Sequence, residues 1–297
     1  MNRIVKKLLI GASITVGVSA IASTPASAGS LTNVSIGGTA ASDYLVYDTV
    51  DGKTVPVPGT STNVQKVLDG NAANPTGNVE LRASSEQGGF DFTKNTTLTG
   101  EIGGQNLTLS SLTHEDWFGT SSGIQYSYGA NNFATKWFND FLTAAGKGYA
   151  VGNTIGNNAY NTFYGIGGFQ KSSDPNISYV NQDDSTGLIK IGLAGHYDLK
   201  AYYASNQQYA AFAQLLPNGF QASEVVKYTY NGVTDFLYNF QATASGLTAS
   251  DDGASHNGNY EVTIKGQPVQ STPEPSVILG ILTVSGMFAT QRRLKKA

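Results

Sequence analysis

Hydrophobic and polar positions alternate near both ends of the body of this chain and recur every three to four residues between them. Tyr44 to Thr49 and Lys53 to Val57 flank Asp51-Gly52, a pair suited to a two-residue hairpin turn. Val79 to Ala83 and Thr96 to Leu112, the latter interrupted by Gly103-Gly104, predict further short strands. Later, Val225 to Tyr230 and Val233 to Thr243 flank Asn231-Gly232, the strongest short hairpin signal in the chain, with Phe236, Tyr238 and Phe240 on one face. Tyr260 to Lys265 predicts a last strand.

The period changes in the middle. Phe133, Trp137 and Phe141 recur every four residues, and Phe138 and Leu142 widen the stripe. Asn131 or Asn132 can cap that helix and Gly146 can end it. A second helix is expected over Asn158 to Tyr164. Ser205-Asn206-Gln207-Gln208 has capping-box order and predicts a third helix carrying Tyr209, Phe212 and Leu216, stopped by Pro217-Asn218-Gly219. Ile177 to Val180 and Gly187 to Leu193 read as strands between helices. No repeat of fixed period is present, which argues against solenoids and propellers.

The expected fold class is therefore α+β. Strand-rich parts built of antiparallel hairpins (residues 29–113 and 221–267) surround a helix-rich middle (114–220), in one globular body across 29–270. Aromatic residues make up 10% and charged residues only 13%, the opposite of a disordered composition.

The two ends have a different character. Arg3, Lys6 and Lys7 precede an apolar run from Leu8 to Ala22, and Ala26-Ser27-Ala28 follows as an A-x-A site. Residues 1–28 thus read as a secretory signal peptide, with Ala26 and Ala28 in the small pockets of the peptidase and Gly29 as the first mature residue. At the other end, residues 271–297 contain Thr272-Pro273-Glu274-Pro275, an apolar run over 276–290, and a basic tail over 291–297 with Arg292, Arg293, Lys295 and Lys296. The prolines hold Pro273-Glu274-Pro275 extended and helix-free, a strip a processing enzyme can grip. The apolar run partitions into the membrane as a single hydrophobic transmembrane helix, and the cations hold its end on the cytoplasmic side. Fifteen helical residues span about 22 Å, short of the ~30 Å hydrocarbon core, and snorkelling of Arg292 and Arg293 covers part of the difference.

The order and spacing of these three C-terminal elements resemble the PEP-CTERM proteins, the presumed substrates of the exosortase system. Thr272 stands where Val is common before the motif. The resemblance implies Sec export with signal peptidase, transient anchoring, recognition of Pro273, Glu274 and Pro275 by an exosortase-type membrane processing enzyme, and delivery to the cell surface or extracellular matrix. The body is similar to an uncharacterised, mainly cyanobacterial family of such exported proteins, through Ser178-Tyr179-Val180-Asn181-Gln182, Ile191-Gly192-Leu193-Ala194-Gly195-His196 and Ser255-His256-Asn257-Gly258-Asn259-Tyr260. That second resemblance implies no activity.

Charge narrows the partners. Between residues 29 and 270 there are 11 basic and 20 acidic residues, a formal charge of −9, which disfavours nucleic acid. The chain has no cysteine, which removes disulfides, thiolate nucleophiles and Cys-ligated metals.

No catalytic constellation stands out. Gly119-Thr120-Ser121-Ser122-Gly123 has G-x-S-x-G order, but a nucleophile elbow needs a strand before it and a helix after it, and neither flank reads that way. His114, His196 and His256 lack metal-ligand spacing and read as structural or surface histidines. Asp183-Asp184, and Asp251-Asp252 with Asn257 and Asn259, could offer oxygens to Ca²⁺, yet neither follows the EF-hand order, and Asp and Asn are ordinary turn residues. Paired carboxylates for glycoside chemistry are a spatial property the chain order does not assign. Nothing points to a cofactor or a metal. The leading expectation is an exported envelope or matrix protein of structural or adhesive role. The alternatives are a module binding polysaccharide (exopolysaccharide) and, last, a secreted hydrolase using Ser121.

Overall fold

The computed structural model describes residues 28–120 and 126–268. The signal peptide apart from Ala28, the sorting motif, the basic tail and Ser121 lie outside the described residues. The strands are β1 (Ala28–Ser30), β2 (Thr32–Gly37), β3 (Tyr44–Val50), β4 (Lys53–Val57), β5 (Gly77–Leu81), β6 (Thr97–Ile102) and β7 (Gln105–Ser110). They continue with β8 (Asn176–Asp183), β9 (Leu188–Gly195), β10 (Val226–Tyr230), β11 (Val233–Leu237), β12 (Thr243–Ala244), β13 (Thr248–Ala249) and β14 (Gly258–Lys265). The helices are α1 (Ser61–Leu68), α2 (His114–Phe118), α3 (Phe133–Ala144), α4 (Thr154–Gly165), α5 (Gly168–Lys171), α6 (Leu199–Ser205) and α7 (Ala210–Ala213).

The larger sheet runs β12-β14-β9-β8-β5-β3-β4-β13, with β1 also paired to β8. The smaller runs β11-β10-β7-β6-β2 and is antiparallel throughout. The chain passes from one sheet to the other at Leu31, which is fully buried and donates its N–H to the Val180 carbonyl. The expected hairpins form: Asp51 and Gly52, and Asn231 and Gly232, all take the left-handed backbone a type I′ turn requires. The long β8 and β9 grow out of the helix-rich middle and join the N- and C-terminal strands into one sheet, in a single α+β domain.

Side-chain alternation gives the larger sheet two distinct faces. One buries Val46, Val79, Leu81, Ile177, Ile191 and Leu193 against Leu98, Leu107, Leu109 and Val226 of the smaller sheet, with Val64, Val67 and Leu68 of α1 in the same core. The opposite face presents Leu45, Tyr47, Glu80 and Asn176 toward a second core, aromatic and helical, built around Trp117, Trp137, Phe138, Phe141, Phe163 and Phe169. Gly77 sits at φ 133°, where an added Cβ would lie 1.9 Å from the Tyr47 carbonyl oxygen, so only glycine lets β5 approach β3 there.

The helix carrying Phe133, Trp137 and Phe141 forms as expected, with Asn132 as its cap and Gly146 left-handed just beyond its end. Two expectations are corrected. The sequence Ser205-Asn206-Gln207-Gln208 does not open a helix. Asp198 caps an earlier one, Asn206 is extended, and the chain turns helical again only for Ala210–Ala213. Tyr203 and Phe212 are both buried in the aromatic core, and nine residues of one continuous helix would place them on opposite sides. The break lets both face inward. Likewise β11 ends at Leu237, short of Thr243, because Asn239 leaves the ladder to pair with Ser223 and with the Glu261 carbonyl.

Residues 113–118, which do not read as a strand, supply the cap and body of α2 in the part expected to be helix-rich. Thr113 and Asp116 exchange the two hydrogen bonds of a capping box, which sets Trp117 into the aromatic core. Thr113→Ala is expected to cost about 1 kcal/mol, read as a lower urea midpoint with unchanged m-value. An unchanged midpoint would show that the cap does not hold α2.

Candidate functional site

A cavity of about 360 Å³ lies on the helical side of the larger sheet, within the roughly 300–1,000 Å³ range of small-ligand sites. Its floor comes from the centre of that sheet. Glu80 of β5 and Asn176 of β8 are directly opposed partners, which puts both side chains on one face. Tyr47 of β3 lies on the same face, and its hydroxyl donates to Glu80 Oε2 at 3.0 Å. Asp174 is two residues before Asn176. The intervening Pro175 accepts the Leu81 N–H, so the sheet itself fixes this approach.

The wall comes from a loop. Val225 donates to the Ser172 carbonyl and Ser223 to that of Asn239, holding Glu224 alongside Asn176. The Asn176 backbone N–H and Nδ2 then donate to Glu224 Oε2 at 3.1 and 3.2 Å. The Ser85 hydroxyl donates to Asp174 Oδ2. Helical residues Trp137, Phe141, Leu199 and Tyr203 close the far side.

The rim has two parts. On one, Lys171 pairs with Glu86 at 3.0 Å and Tyr202 donates to the same carboxylate at 3.3 Å. The Tyr202 ring stacks on His196, centroids 3.8 Å apart and planes within 17°. On the other, the turn carrying Asp251 and Asp252 folds over the edge of the sheet. Asp252 accepts the N–H groups of Ala254 and Ser255, and His256, left-handed at φ 63°, shares a 2.7 Å hydrogen bond with Thr54 and meets the Tyr47 ring edge-on. Asp251, Asp252 and Glu86 are exposed, whereas Asp174 and Asn176 are buried, so the cavity runs from solvent to a closed floor.

Burial governs the charge state of the floor. It pushes the Glu80 carboxyl up to about 7, against a downward pull from the Tyr47 hydroxyl. Burial, then the neighbouring Glu80 charge, raises Asp174 well above the carboxylate range; burial, then Asp174, does the same to Glu224. Burial lowers His256 to about 4 and lowers His196, which the Asp252 charge and the Ala254 carbonyl pull upward. Burial thus favours the protonated form of the floor carboxyls and the neutral form of the imidazoles, groups able both to donate and to accept hydrogen bonds.

Four buried polar atoms on residues lining this cavity have no hydrogen-bond partner in the fold: Asp174 Oδ1, Asn176 Oδ1, Trp137 Nε1 and His196 Nδ1. Asp174, Asn176 and Trp137 are 5%, 7% and 1% exposed, and a buried polar group without a partner costs about 1–3 kcal/mol. A bound polar molecule would satisfy them.

The structure brings together residues that the sequence kept apart. His196, His256, Asp251 and Asp252 line the cavity. The two histidines, expected to be structural or surface residues, line this cavity, His256 while hydrogen-bonded to Thr54 and His196 while stacked on Tyr202. His114 lies elsewhere, among Phe92, Phe118 and Tyr126. Asp183 accepts from Ser185 and Thr186 in a local turn, Asn257 accepts the Tyr197 N–H, and Asn259 donates to the Tyr179 hydroxyl. Among the described residues no group of three or more His, Asp or Glu is placed to hold a metal ion. Ala28 and Gly29 form β1, with Gly29 opposite Gln182. Glu80, Asp174, Asn176 and Glu224 escaped the sequence reading, the only signal being three carboxyls and an amide within or beside apolar strands.

No protein-family model matches the chain, and searches of curated proteins and of solved structures find no match either.

Proposed function

We propose that this is an exported envelope or matrix protein, sorted by its C-terminal segment, whose body binds a small hydroxylated ligand of the carbohydrate class in the cavity above Glu80 and Asn176. The address rests on the sequence of the two ends. Cleavage after Ala28 releases Gly29, the membrane span over 276–290 anchors the chain with Arg292, Arg293, Lys295 and Lys296 inside, and Pro273-Glu274-Pro275 is the strip the sorting enzyme recognises.

One observation carries the binding reading: Asp174 Oδ1, Asn176 Oδ1, Trp137 Nε1 and His196 Nδ1 stand unpaired on residues that line one cavity. Carbohydrate hydroxyls donate and accept at once, matching the Asn176 Oδ1 acceptor and the Trp137 Nε1 donor, and Asp174 Oδ1 and His196 Nδ1 in either protonation state. The Tyr47 and Tyr202 rings line the same cavity and add apolar surface for a sugar ring. This favours a binding role over a purely structural or adhesive one.

Fractionation of intact cells with mass spectrometry of both terminal peptides tests the address. The expected mature protein begins at Gly29, is digested by protease added outside, and ends near Pro273-Glu274-Pro275 once processed. A protein found in the cytoplasm with residues 1–28 intact would overturn the address.

A further inference from the structure

We propose that the ligand of this cavity carries a protonated amine as well as hydroxyl groups, placing it in the amino-sugar class. The inference rests on the reading above and deepens it.

Six carboxyl groups line the cavity, from Glu80, Glu86, Asp174, Glu224, Asp251 and Asp252, against one lysine, Lys171, already paired with Glu86. The remaining titratable groups facing it are His196, His256 and the tyrosines Tyr47, Tyr202 and Tyr203, which bring no cation at neutral pH. An anionic ligand would meet only carboxyls and one occupied ammonium.

The unpaired atoms point the same way. Asp174 Oδ1 is an acceptor when ionised. Asn176 Oδ1 is an acceptor as well, since its amide nitrogen is committed to Glu224. Two acceptors at a 93–95% buried floor, beside the Glu224 and Glu80 carboxyls, call for a group with several N–H donors, and a primary ammonium has three. Charge-assisted hydrogen bonds are about twice as strong as neutral ones. The carboxyls are too dispersed to converge on one metal ion. An ammonium on a ring reaches the floor while its hydroxyls engage Trp137 Nε1.

Binding of such a ligand ionises carboxyls that the empty cavity holds neutral, so it releases protons. Isothermal titration of the detergent-solubilised full chain at pH 6, where the amine is charged, is run in two buffers of different ionisation enthalpy. The probes are glucosamine, glucose and 1,4-diaminobutane. The expected result is glucosamine binding at least about tenfold tighter than glucose, with buffer-dependent heat signifying proton release, and Asp174→Asn with Glu224→Gln abolishing that preference. Retained thermal unfolding of this double variant shows that it folds; if it does not fold, the wild-type buffer dependence decides. Glucose binding as tightly as glucosamine, or glucosamine binding without proton release, overturns the ammonium inference and leaves the carbohydrate reading standing. Binding of the diamine alone overturns the carbohydrate reading and keeps the ammonium. Binding of none of the three overturns both.

Discussion

Phe169→Ala is expected to lower the free energy of unfolding by about 3–5 kcal/mol, the range for a buried Phe truncated to Ala where the site collapses poorly. Phe169 is 2% exposed on the short helix α5, with the rings of Trp117, Phe118, Trp137, Tyr160 and Phe163 centred 5.0–6.0 Å from its own. Most of these pairs meet edge to face, the geometry worth about 0.5–1.5 kcal/mol beyond the area they bury. The position also bears on the polar layer below. The Phe169 carbonyl accepts from Ser173, whose hydroxyl takes the Trp117 indole N–H, and Ser173 adjoins Asp174 at the cavity floor. Truncation should therefore loosen Trp117 and the cavity together. Urea unfolding followed by tryptophan fluorescence checks this. A loss under about 1 kcal/mol would mean that neighbouring rings close the hole and that α5 is no keystone.

The elements legible in the chain were those fixed by neighbours a few residues away. Asp51-Gly52 and Asn231-Gly232 specify their turns through backbone angles alone, and Phe133, Trp137 and Phe141 specify one face of α3 through spacing. What separated the two sheets, and what broke the helix at Asn206, depends on partners far along the chain. Glu80 and Asn176 become neighbours only because β5 pairs with β8 across two intervening strands and four α-helices. His256 reaches Thr54, 202 residues away. A carboxyl in an apolar strand reads locally as an outward-facing polar residue. Its meaning changes only when a second layer, here the aromatic helices, covers that face. For the same reason His114, His196 and His256 looked like three unrelated histidines, until the fold brought His196 and His256 to one cavity and left His114 among Phe92, Phe118 and Tyr126.

The cavity floor makes stability fall as pH rises through neutrality, and Glu80→Gln should remove much of that fall. The folded Glu80 carboxyl, at about 7, holds its proton to higher pH than the 4.5 of an unperturbed glutamate. Below the lower value both states are protonated and the group contributes nothing. Between the two, the unfolded chain releases the proton while the folded one keeps it, so each pH unit costs about 1.4 kcal/mol, reaching about 3 kcal/mol above pH 7. Asp174 and Glu224, also raised by burial, act in the same direction. His256 acts oppositely. Its folded value near 4 lies below the usual 6.5, so protonation favours the unfolded chain and stability rises with pH across that interval. The two slopes nearly cancel between about pH 4.5 and 6.5, and only the carboxyls remain above it. Glutamine keeps an acceptor for the Tyr47 hydroxyl and carries no charge. Urea unfolding should then show Glu80→Gln near wild type at pH 4.5 and more stable by up to about 3 kcal/mol at pH 8. Equal stability of the two proteins at pH 8 would mean that the folded protein holds Glu80 ionised without cost, and the acidic floor would not be the strained, donor-seeking surface on which ligand capture rests.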